Sequence, residues 1–119
     1  MEKLQPGWIM EHAQQAAAIR GKTIRLTWTK GPTKGMAHEH VFYEDGTVEW
    51  YDADSGPGSS SKERPPYAAF RVAEQVYAVS YWAPASGYTL TVVLNFQDHR
   101  MVGFASGGKD WHPLEGTSR

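Results

Sequence analysis

The sequence predicts an all-β protein, a closed antiparallel up-and-down β-barrel with a short N-terminal helix. Short runs rich in β-branched and aromatic residues recur between turn signals along most of the chain, which is typical of an antiparallel meander. A closed barrel is favoured over an open sheet because closure removes the exposed edges. At 119 residues the chain is expected to form one domain, with an arm and helix over 1–20 and the barrel over 21–113.

The first predicted elements are the helix and the strand that follows it. Ile9–Arg20 consists of good helix formers and is followed by Gly21, a residue typical of helix C-termini. Thr23–Lys30 alternates apolar and polar residues, which predicts a strand with one buried face.

The next segment, 38–51, is predicted to be a hairpin with its turn at Asp45-Gly46, a strong hairpin signal. Side chains alternate between the two faces of a strand, so His38 and His40 project from the same face together with Phe42. Two imidazoles two residues apart can converge on a ligand, a proton or a metal ion.

Four further strands are predicted, for Tyr67–Ala73, Val76–Trp82, Tyr88–Phe96 and Arg100–Ser106. The polar segment 52–66, rich in glycine, proline and serine, separates them from the hairpin. We interpret it as a surface loop, with a lid over the barrel mouth as the alternative.

Composition argues against several classes of function. Lysine and arginine total 12 against 13 acidic residues, so no basic surface is expected to bind nucleic acid. The absence of cysteine excludes disulfides and cysteine-liganded zinc. No apolar run reaches membrane-spanning length and the N-terminus lacks a signal-peptide core, so we expect no membrane partner and a cytoplasmic location.

Four stretches resemble a known superfamily: 46–50, 76–81, 94–96 and 100–103. They are similar to the calycin-type phenolic acid decarboxylases and, more closely, to their relatives, the MoaF-like domains. The resemblance covers roughly Gly21 to Pro113 and implies a small, flattened, lipocalin-like barrel with an apolar cavity. It also implies no cofactor, because the decarboxylases orient a p-hydroxycinnamic acid with tyrosines, an arginine and a glutamate alone.

The decarboxylase active site has no counterpart in this sequence. The family's tyrosines fall on Leu26, Trp28 and His38. Its arginine falls near Ser60 and its glutamate on Ala83. Phenolic acid decarboxylation is therefore not expected, and the function has to be argued from the residues present.

The expected site is an apolar cavity with two histidines. The predicted binding residues are Leu26, Trp28, Trp50, Phe70, Tyr77, Tyr81, Val92 and Leu94. Such a cavity suits a small hydrophobic or aromatic ligand. His38 and His40 would be neutral when desolvated side by side, which suits acid/base catalysis. The alternative is that they bond tyrosine hydroxyls such as that of Tyr81 and fill the core.

Two functions follow from this cavity, and the sequence does not decide between them. One is a cofactor-free lyase, isomerase or cyclase in which His38 and His40 are the catalytic acid/base groups. The other is a lipocalin-like binding protein without turnover. A third, less favoured hypothesis is a metal site, because His38, His40 and Glu44 have the spacing of the first cupin motif. Glu44 lies in the turn and the second cupin motif is missing, so no metal is expected. A homodimer is compatible with each function.

Overall fold

A computed structural model describes residues 18–119, which form one antiparallel sheet. Within this range there are eight strands and a 3₁₀ turn at Pro57–Ser59. The strands are β1 (Thr23–Lys30), β2 (Ala37–Phe42), β3 (Val48–Asp52), β4 (Tyr67–Ala73), β5 (Val76–Ala83), β6 (Tyr88–Asn95), β7 (Arg100–Ser106) and β8 (Trp111–Ser118). Their order in the sheet is β3-β2-β1-β8-β7-β6-β5-β4. The predicted antiparallel all-β architecture is confirmed.

The expected closure of the barrel is not confirmed. The sheet curls into a half-barrel whose edges are β3 and β4. These edges come together where both strands begin, at an isolated bridge between Thr47 and Pro66. There the Val48 N–H donates to the Pro65 carbonyl at 2.9 Å and the Tyr67 N–H to the Gly46 carbonyl at 3.1 Å. A long polar loop joins β3 to β4, so no tight turn places the two strands in register.

The barrel does not end at Pro113, because β8 continues to Ser118. β8 pairs with β7 along its whole length and with β1 over Glu115–Ser118, so a strand that the sequence did not predict lies in the middle of the sheet. Pro113 argues against a central strand in the sequence, because proline lacks the backbone N–H that pairing on both sides needs. Here Pro113 lies outside the stretch that pairs with β1.

Positions 9–17 of the predicted helix Ile9–Arg20 lie outside the described residues. Its last residues are described: Ile19 is fully buried, and its carbonyl accepts the Lys22 N–H at 3.0 Å. Gly21 follows with φ 78°. Within residues 18–119, no helix has the length and apolar character needed to cross a membrane.

The concave face of the sheet carries the core, as the alternating pattern predicted. On β2, His38, His40 and Phe42 are 8%, 2% and 2% exposed. On β1, Leu26 and Trp28 are buried in the same way. The two strands are neighbours in the sheet, so their inward side chains form one continuous wall.

Candidate functional site

A cavity of about 380 Å³ lies at one end of the concave face and is partly open to solvent. Five of the residues predicted for the site line it: Trp28, His38, His40, Trp50 and Tyr81. They come from β1, β2, β3 and β5, so the curl of the sheet brings both of its halves to one space. The volume is in the range of ordinary small-molecule sites.

The hydrogen bond between Trp28 and His38 determines the protonation of the His38 ring. The indole Nε1–H of Trp28 donates to His38 Nδ1 at 2.8 Å. An indole nitrogen can only donate, so Nδ1 must be unprotonated and the neutral ring carries its proton on Nε2. Burial lowers the pKa of His38 and outweighs the opposite influence of Asp52, so the ring stays neutral.

His40 forms its bond across the concave face. Its Nε2 lies 2.8 Å from the Tyr81 hydroxyl, which belongs to β5. Burial lowers the pKa of His40 to about 3 and raises that of Tyr81 far above its ordinary value, so both groups are uncharged near neutral pH. The pair links β2 to β5, and its bond is of the kind that the packing alternative described.

Four predicted binding residues are buried in the core outside the cavity lining: Leu26, Tyr77, Val92 and Leu94. Their place follows from the register of the strands. Tyr81 pairs with Leu90 and belongs to the cavity end, whereas Tyr77, four residues earlier on β5, pairs with Leu94. For these four residues the prediction gave the correct face of the strand but not the position along it.

Phe70 lies on the opposite face of its strand from the one predicted. It is 39% exposed, whereas its neighbour Ala69 is 1% exposed and points to the core. Alternation along β4 therefore places Phe70 on the convex side, opposite the cavity. Its exclusion leaves β4 without a residue in the cavity lining.

Three lining residues that continue the row from the predicted Tyr81 were missed by the sequence prediction: Leu90, Ala105 and His112. Tyr81 pairs with Leu90, Leu90 with Ala105, and Ala105 with His112, and all four line the cavity. Leu114, two residues beyond His112, does so as well. The alternation of His112 and Leu114 was the available signal, but it lay in the unpredicted strand β8.

A polar cluster at the cavity rim consists of Tyr88, Asp110 and His112. The Tyr88 hydroxyl lies 2.9 Å from both carboxylate oxygens of Asp110. His112 Nε2 lies 3.2 Å from Asp110 Oδ2. The bond to the carboxylate raises the pKa of Tyr88. Tyr88 and His112 line the cavity. Asp110 is outside the lining and contacts both side chains through its carboxylate.

The remaining predicted features do not assemble at the cavity. Within residues 18–119, no three metal-ligating side chains lie close enough together to hold a metal ion. Glu44, the third residue of the cupin-like spacing, lies against Gly21. The segment 52–66 contributes no residue to the lining, so the lid is not supported. Its Ser60 instead donates to Glu49 on β3.

Comparison with known proteins gives the family. The chain matches the model of the MoaF N-terminal domain over residues 1–110. A solved structure from Burkholderia vietnamiensis, described as a "putative beta-lactamase", is 22% identical, has a TM-score of 0.67 and covers 85% of this chain and 93% of its own. At that identity the likeness supports the fold alone. No curated protein matches.

The predicted resemblance to MoaF-like domains is confirmed, and that to the decarboxylases stays a prediction. The family model covers most of the sequence and ends just before β8, and the chain therefore belongs to the MoaF family.

Proposed function

We propose that the cavity binds a small, flat, largely apolar molecule that carries a hydrogen-bond acceptor. The observation that carries this proposal is the Trp28–His38 bond in the cavity wall. It directs Nδ1 toward the indole and leaves the Nε2–H, which has no partner among the described residues, to donate to a ligand.

The surroundings of His38 support a flat ligand. Its ring lies 4.9 Å from that of Trp50 and 6.2 Å from that of Trp28, so two indoles flank the donor. Leu90 and Leu114 supply apolar surface elsewhere in the lining. One oriented donor within apolar walls is the usual composition of a small-molecule site.

Turnover without a cofactor is the second candidate, and the same bond supports it. A neutral imidazole that donates from Nε2 can polarise a carbonyl without being charged. His38 would then act on a lyase, isomerase or cyclase substrate as a hydrogen-bond donor. His40 suits this reaction less as a base, because its Nε2 is engaged with Tyr81. Binding without turnover is the function that the geometry supports best.

The donor role of His38 can be tested with two probes of the same shape. We expect 2-acetylnaphthalene to bind about fivefold more tightly than 2-isopropenylnaphthalene, because one net hydrogen bond contributes about 1 kcal/mol. Quenching of tryptophan fluorescence, corrected for absorption by the probe, gives both dissociation constants. In His38→Phe, which keeps an aromatic ring, the two affinities should become equal. A preference that survives in His38→Phe would contradict the donor role.

Filling the cavity should weaken the binding of both probes. Ala105 lies in the middle of the lining row between Leu90 and His112. We expect Ala105→Leu to raise both dissociation constants more than tenfold by occupying the space. Ala78→Leu adds the same atoms on the outer face of β5 and is the matched control. Equal binding by wild type and Ala105→Leu would show that the probes bind elsewhere.

A further inference from the structure

The rim cluster of Tyr88, Asp110 and His112 determines which nitrogen of His112 carries a proton. The Asp110 carboxylate accepts hydrogen bonds and cannot donate when ionised. The 3.2 Å contact with His112 Nε2 therefore requires a proton on Nε2. In the neutral ring, Nδ1 then holds a lone pair, and no described residue donates to it.

The position of Asp110 is itself well defined. Both of its oxygens lie 2.9 Å from the Tyr88 hydroxyl. The Gly107 N–H donates to the Asp110 carbonyl at 2.7 Å, which closes the turn before β8. A Cβ on Gly107 would lie 2.8 Å from Asp110 Oδ1 and 2.9 Å from the Tyr88 ring, so the turn, the carboxylate and the phenol are packed together.

Two lining histidines, His38 and His112, therefore have opposite polarity. His38 is 8% exposed and presents a donor, Nε2–H, from a buried position in the lining. The His112 side chain is 39% exposed and presents an acceptor, Nδ1, at the rim. His40 Nε2 and the Tyr81 hydroxyl, which also belong to the lining, bond one another.

We propose that this polarity selects the ligand class and its orientation: a flat molecule with a carbonyl-type acceptor at its inner end and a hydroxyl or N–H donor at its outer end. The proposal rests on the proposed function, because it needs His38 as the inner donor. It adds a specificity role for His112, with Asp110 as the positioning residue. A ligand with a donor at the inner end would meet the Nε2–H of His38, and one with only an acceptor at the rim would meet the lone pair of His112.

The test compares two probes that differ only at the outer end, at about pH 7.5, where a phenolic hydroxyl keeps its proton. These are 6-acetyl-2-naphthol and 2-acetyl-6-methoxynaphthalene; both have the acceptor, but only the naphthol has a donor. We expect the naphthol to bind about fivefold more tightly to wild type, as one net hydrogen bond predicts. Equal affinities, with both probes bound, would overturn the proposal and leave the proposed function intact. Failure of both to bind would overturn the two together.

Two variants separate the roles of His112 and Asp110. His112→Phe keeps the ring and removes both nitrogens, so the preference for the naphthol should disappear. In Asp110→Asn the amide N–H can donate to Nε2, which moves the ring proton to Nδ1, and the preference should shift toward the methoxy probe. Asp54→Asn removes one exposed carboxylate far along the chain and should keep the fivefold preference. Retention of the preference in both His112→Phe and Asp110→Asn would contradict the assignment, whatever their melting temperatures.

Discussion

Gly103→Ala is expected to lower the free energy of unfolding by about 3 kcal/mol, the upper end of the usual cost of overpacking. Gly103 lies on the concave face of β7, paired with Val92 on one side and Leu114 on the other. A Cβ at this position would meet the Thr91 carbonyl oxygen and come within 2.7 Å of the Val92 Cα. Both contacts are with backbone, which cannot move aside without separating β6 from β7. Urea unfolding followed by tryptophan fluorescence gives the value.

Gly116 offers a second crowded position for the same experiment, and Gly108 offers an uncrowded control. At Gly116 on β8, a Cβ would meet the Thr27 carbonyl oxygen of β1 and the methyl group of Met101, so Gly116→Ala should be similarly destabilising. At Gly108 a Cβ would meet nothing within 4 Å, and Gly108→Ala should change stability by less than about 0.5 kcal/mol. Similar stabilities for all three variants would mean that the close approach of the strands is not required for the curl of the sheet.

Acidification is expected to destabilise the protein through His40. Burial lowers the pKa of His40 from 6.5 to about 3 in the folded chain. Between these values the unfolded chain binds a proton at this position and the folded chain does not, so stability falls as the pH falls. The slope for one proton is about 1.4 kcal/mol per pH unit, which amounts to about 3 kcal/mol at pH 4. Above pH 6.5, the pKa of His40 in the unfolded chain, His40 is neutral in both states and has no further effect on stability.

The contribution of His40 is isolated by His40→Gln, which does not titrate and retains an amide to bond Tyr81. Urea unfolding of wild type and variant at a series of pH values gives the two slopes. Below about pH 6 the variant should lose about 1.4 kcal/mol per pH unit less stability than wild type. Between about pH 7.5 and 8.5, where His40 is neutral in both states, the slopes should coincide. Parallel curves throughout the acid range would show that His40 is protonated in the folded protein.

Turn signals between runs of strand-forming residues, together with alternation in the first strands, were sufficient to predict most strands. β1, β4 and β7 have the predicted bounds, because each is a short run of strand-forming residues between clear turn signals. The hairpin turn at Asp45-Gly46 is present, with Gly46 at φ 85°. The inward face of β2, with both histidines, follows from the same alternation. These features depend on neighbours along the chain, which the sequence displays directly.

Tertiary structure alone decided which inward residues surround the cavity. Trp28 lines it and Leu26 does not, although both project from the same face of β1, because the cavity occupies only one end of the half-barrel. The ring nitrogen of His38 that carries the proton depends on the adjacency of β1 and β2. That of His112 depends on the turn before β8, a strand that the sequence did not predict. Alternation specifies the face of a strand, whereas the position of a residue along the curled sheet depends on pairing with strands distant in sequence.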